Sequence, residues 1–180
     1  MAGTITLIGA SNSQKANVAD NALLVRPYDD FEYAKAQGDA YSWSSLTYDP
    51  DANDTILGVQ NNSSTKHLYI HQITVTCDTI TQFVVHTESG VTMTGTAVTG
   101  VNLDRSCTTL AAATAKADET GNGQQAAGYT GRIYTARVGA NGLVVLEPKG
   151  SIILPNDWMI GVDFTTAATA GNVSIIGYFK

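Results

Sequence analysis

From Thr55 to Lys180, apolar and polar residues alternate in short runs broken by Gly, Asn, Asp and Pro. A period of two sends successive side chains to opposite faces of an extended chain, so each run reads as a half-buried strand. Residues 55–60 end at the turn-forming Asn61-Asn62-Ser63-Ser64. In 66–77 the apolar pattern runs through Leu68 and Ile70, then shifts parity to Ile73 and Val75. That shift predicts a bulge near His71-Gln72, because a strand keeping one face buried cannot change parity without an extra residue. Residues 80–87 follow, closed by Ser89-Gly90. Weaker strands are expected at 96–103 and 106–110, while 111–117 is open to helix, strand or loop. The Gly- and Gln-rich 118–128 reads as a loop. Strands at 132–138, 142–147, 157–165 and 172–179 complete the chain. Asn141-Gly142 is the strongest hairpin signal, since a type I′ turn needs two residues of positive φ. About eight strands at this spacing predict an all-β fold, a jelly-roll-like antiparallel β-sandwich. Trp158 and Phe164 are expected in its core.

Composition agrees. The chain has 23 Thr and 11 Asn but only six Lys and four Glu, which disfavours long exposed helices. Hydrophobic residues reach 43%, too many for a disordered chain. A net charge of −6 disfavours a general nucleic-acid binder, which needs a basic surface to neutralise phosphates. No run approaches the ~18 apolar residues of a membrane span. The opening segment Met1-Ala2-Gly3-Thr4-Ile5-Thr6-Leu7 lacks the basic and apolar regions of a secretory signal, so synthesis in a cytoplasm is expected. Cys77 and Cys107, with no CxxC partner, read as free thiols in that compartment.

The first third differs from the rest. Residues 1–60 hold eight Asp/Glu against three Lys/Arg, and residues 61–180 hold eight against seven. The early part is also polar and broken up, so it predicts an extended acidic arm over 1–50 and a β domain over 51–180, with the boundary near 45–55. Tyr28, Phe31, Tyr33, Tyr41, Trp43 and Tyr48 crowd into the arm. Such a density exposed on a free tail is an aggregation hazard, so these six residues are expected to dock, on a partner or on the chain's own β domain.

No catalytic constellation emerges. His67 and His71 lie four residues apart, which on a strand separates them by ~13 Å, too far to share a metal ion even with His86 as a third ligand. Asp49, Asp51 and Asp54 begin like a calcium loop, but the Gly and closing Glu of such a loop are missing. Asp29, Asp30 and Glu32 stand together without an opposing carboxylate or a cleft. There is no GxSxG, P-loop or dinucleotide-binding signature, and Gly121-Asn122-Gly123 lacks the strand and helix that give such glycines meaning. The expectation is a non-enzyme with no catalytic residue, cofactor or metal.

Four segments carry a family resemblance: Asp20-Asn21-Ala22-Leu23-Leu24-Val25 in the arm, 59–70, the Thr-rich 73–79, and the ending formed by 152–157 with 173–179. In these the chain resembles the jelly-roll virion structural proteins of tailed bacteriophages, of the capsid cement or decoration type. The resemblance covers 55–180 well and the arm loosely. It implies a capsid-surface location, self-association as a homotrimer, and the major capsid protein as partner, with no role for nucleic acid or membrane. A second reading is a tail or baseplate component that binds a host glycan through loops 90–100 and 118–130, with Tyr129 and Tyr134 nearby. A third is a hydrolase on a jelly-roll scaffold, which fold alone never excludes.

Overall fold

A computed structural model describes residues 14–19, 22–27, 29–49, 51–52, 54–119, 131–168 and 170–180. Strands β1 (Gln14–Ala19) and β2 (Ala22–Pro27) form a two-stranded antiparallel hairpin. A short helix, α1 (Asp30–Ala36), starts at Asp29, whose carboxylate accepts the Glu32 N–H at 2.6 Å. That cap satisfies one of the backbone donors left open by the first helical turn.

Eight strands then wind into two facing sheets. These are β3 (Ala40–Ser44), β4 (Thr55–Asn61), β5 (Leu68–Cys77), β6 (Thr81–Ser89), β10 (Arg132–Val138), β11 (Gly142–Leu146), β13 (Trp158–Phe164) and β14 (Gly171–Phe179). The first of the eight pairs with the last, β3 with β14, and the second with the seventh, β4 with β13. Likewise β5 pairs with β11 and β6 with β10. A chain folded on itself in this way and then rolled gives the sheets β11-β5-β14-β3 and β10-β6-β13-β4, which is the jelly-roll order. The long connection from β6 to β10 adds β7 (Thr96–Val98), β8 (Val101–Asn102) and β9 (Ala113–Ala117). Of these, β9 and β7 extend the second sheet beyond β4, and β8 extends the first beyond β3. The last short strand, β12 (Ile152–Leu154), pairs with β5.

The core lies between the sheets and is built from alternate residues such as Ile73 and Val75 of β5, Phe83 and Val85 of β6, and Ile160 and Val162 of β13. The predicted bulge is present: Ile176 faces Gln72 and Gly177 faces Ile70, so His71 is the extra residue. The segment left open at 111–117 is largely strand, while 106–110 is turn and irregular chain. Trp158, expected in the core, opens β13 and is exposed; Phe164, at its other end, is fully buried.

Two expectations change. Asn141 has positive φ and the Gly142 N–H bonds the Gly139 carbonyl at 2.8 Å, so the turn is real. Among the described residues it has one positive-φ position rather than the two of a type I′ turn. It also does not close a hairpin, because β10 belongs to one sheet and β11 to the other. The domain boundary moves as well. β3 lies between β14 and β8, and Tyr41 and Trp43 are each 1% exposed, so residues 40–44 are part of the sandwich. Their polar neighbours face outward from an otherwise ordinary strand, which is why the segment reads as an arm.

Candidate interaction surface

The six arm aromatics separate into different environments. Tyr28 lies outside the described residues. Tyr41 and Trp43 fill the core, with ring centroids 6.0 Å apart, and the Tyr41 hydroxyl donates to the Gly38 carbonyl at 3.0 Å. They are closed to a partner unless the sandwich opens. Tyr48 packs against the same core and its backbone exchanges two hydrogen bonds with Gly171, at 3.1 and 2.7 Å. Phe31 and Tyr33 are half-buried on α1, with Phe31 laid on His71. Docking on the chain's own sandwich therefore accounts for Phe31, Tyr41, Trp43 and Tyr48.

The three histidines are dispersed. His67 pairs through its backbone with Lys180, His71 stacks on Phe31, and His86 is buried on the second sheet. The His86 Nε2 lies 3.0 Å from Asp163 Oδ1, which also accepts the Thr55 hydroxyl at 2.7 Å. Gly161, opposite His86, makes room for the ring: a Cβ there would stand 2.4 Å from Nε2. Among the described residues, no group of three or more His, Cys, Asp or Glu is arranged to hold a metal ion, and no helix is long and apolar enough to cross a membrane. Cys77 and Cys107 are free thiols.

Carboxylates do gather at one corner. The Asp54 carboxyl is pushed up by burial first, then by the charges of Glu119, Asp51 and Asp118. Asp118 is raised by burial and by Asp49 and Asp51. The buried Glu119 is held by the Thr55 N–H at 3.0 Å. The corner thus joins the start of β4 to the end of β9.

Several exposed apolar residues lie at the opposite edge of the second sheet. There β10 edges one sheet and β11 the other, and between them opens a groove of about 360 Å³. Its walls include Ile73, Val85, Ile133, Tyr134, Val145 and Ile152. Ile133 (45%), Leu143 (63%) and Val145 (44%) are exposed, as are Tyr134 and the neighbouring Ile153. Alternation explains why: Val144 and Leu146 pack on the core, which sends Leu143 and Val145 outward. Strand β10 also carries Arg132 and Arg137, both exposed, and Lys149 pairs with Glu147 at 3.3 Å beside the groove. An apolar patch rimmed by polar groups is the ordinary signature of a protein-binding surface. The sequence signal was present in Gly142-Leu143-Val144-Val145-Leu146, a strand apolar on both faces in a sheet buried on one. Tyr134 sits in this groove, 6.1 Å from the Phe83 ring, while Tyr129 and most of the loop 118–130 lie outside the described residues.

No protein-family model, curated protein or solved structure matches the chain.

Proposed function

We propose that this chain is a non-enzymatic virion structural protein of a tailed bacteriophage, a capsid cement or decoration protein. In this reading it self-associates, as a homotrimer, and sits over junctions between major capsid subunits on the head surface. The observation that carries the proposal is the apolar flank on the open side of the jelly roll, centred on Leu143, Val145 and Ile133. Such a surface is costly to leave in water and favours assembly. Several weak contacts summed through an oligomer bind a shell by avidity, so no single patch needs to be strong. Binding only the assembled shell also stabilises it by mass action. The test adds purified chain to heads that lack it and measures bound protein and the temperature of genome release. Saturable binding with a raised release temperature supports the reading, and no binding at any concentration overturns it.

The exposed ring of Tyr134 beside the groove favours one alternative, a tail or baseplate component that stacks a host sugar on that ring. Binding of host glycans that is lost in Tyr134→Ala separates this reading from the first.

A further inference from the structure

We propose that a cavity at one end of the first sheet, where the β3–β4 connection meets the ends of β5, β11 and β14, binds a small neutral sugar. The site shares no residue with the groove beside Tyr134, and the inference depends on neither reading above.

The cavity measures about 380 Å³, within the range of small-molecule sites. Its polar walls come from four separate parts of the chain. They are Thr47 after β3, Thr76 and Asp78 at the end of β5, Asn141 in the turn before β11, and Asn172 in β14. Register assembles them. Leu143 stands opposite Thr76, and Thr76 opposite Asn172, so the three form one row across β11, β5 and β14. Alternation sends that row to the outer face, because Val75 and Val173 go to the core.

The walls are held in place. The Asp78 N–H donates to the Ala170 carbonyl at 2.9 Å, and the Asn172 amide to the Leu46 carbonyl at 2.8 Å. Among the described residues, the side chains of Thr47, Thr76 and Asn141 have no hydrogen-bond partner of their own. Open donors and acceptors on a fixed frame cost little to organise around a ligand.

The lining chooses the ligand. Among the described residues of the wall, Asp78 is the one charge, so phosphates and carboxylates are repelled. No aromatic ring stands there for a nucleobase to stack on. One carboxylate is too few for a metal ion. A hydroxyl both donates and accepts, so it pairs with the Asp78 carboxylate, the Thr hydroxyls and the Asn amides alike. Leu143, 63% exposed, offers an apolar wall to the C–H face of a sugar ring.

The test titrates the isotope-labelled full chain with glucose, galactose, mannose and N-acetylglucosamine, free and as methyl glycosides, to about 50 mM. Binding is read from amide NMR shifts, and folding of each variant from its melting transition. At least one sugar should give saturable shifts at Thr76, Asp78 and Asn141, with a Kd of about 1–10 mM. Acceptance of the methyl glycoside marks the end of a glycan as the ligand, and its rejection marks a free sugar. Thr76→Val and Asp78→Ala should each weaken binding by about tenfold, while Tyr134→Ala should leave it unchanged. No saturable shift with any sugar at about 50 mM overturns the inference. So does binding that both cavity variants leave intact, binding that Tyr134→Ala removes, or glucuronate held more tightly than glucose. Attachment to heads is a separate measurement, so a failure here leaves the capsid reading standing.

Discussion

The imidazole of His71 lies flat on the ring of Phe31, with centroids 3.8 Å apart and planes inclined by 9°. Each residue owes its place to a local exception. His71 is the bulged residue of β5, and Phe31 sits in the first turn of the one helix among the described residues. Phe31 also meets Tyr178 edge-on at 5.9 Å, and Lys180 reaches Asp30 at 2.8 Å. Together these contacts hold α1 against the first sheet.

That stack is pH-sensitive. Burial pushes His71 below its ordinary value of 6.5, against the opposing charges of Asp29 and Glu147, while Lys149 pushes in the same direction as burial. The unfolded chain therefore takes up a proton first, so the neutral stack contributes fully above pH 6.5 and less as pH falls below it. Melting temperatures from pH 7.5 to pH 5, an interval spanning the usual histidine range, should fall more steeply for wild type than for His71→Leu. Parallel curves would contradict the assignment.

Trp43 should be among the costliest positions to truncate. It is buried against Tyr41, and Gly100 approaches so closely that a Cβ there would stand 2.5 Å from the Trp43 Nε1. Trp43→Ala is expected to lose about 3–5 kcal/mol in urea unfolding, a large share of a typical domain's 5–15 kcal/mol. Deleting residues 1–45 removes β3 altogether and should abolish cooperative unfolding. A truncated chain that melts like wild type would mean that β3 is dispensable.

Asp163 and His86 form a fully buried pair on the second sheet. Removing one member strands the other, so Asp163→Ala should cost about 3–5 kcal/mol. Replacing both with leucine should cost less, because the buried imidazole and carboxylate then leave together and the Thr55 hydroxyl is what loses its partner. Chemical denaturation of the two variants checks the difference, and equal losses would refute it.

At the acidic corner the sign reverses. Asp54 is raised above its ordinary 3.8, so its folded form is favoured below that value and loses stability as pH climbs through the raised one. Asp54→Asn should stabilise the fold at pH 7 by less than about 1 kcal/mol given its partial exposure, read as a higher melting temperature. The gain should vanish near the ordinary value of 3.8 and shrink with added salt. Unchanged melting at pH 7 in low salt would argue against repulsion there.

Period-two alternation made β4, β5, β6, β10, β11, β13 and β14 legible, and the parity change at Ile70 and Ile73 located the bulge. β3 was hidden because Tyr41 and Trp43 stand in a short strand after a polar, helix-capped stretch, and the Asp29–Glu32 pair reads equally as a cluster of acid or as an N-cap. The sheet to which a strand belongs is not written in its own residues. Asn141-Gly142 specified a turn, yet only the winding of the whole chain sends β10 and β11 to opposite sheets. The apolar flank follows from that separation. Leu143 and Val145 gain their meaning from standing on an edge, a position set by strands distant in sequence.

Copy number and position of the chain in purified virions decide whether it serves on the capsid. Quantitative mass spectrometry with electron microscopy of labelled particles should find hundreds of copies per particle, spread over the head. A few copies, or about a dozen, confined to the tail would contradict it.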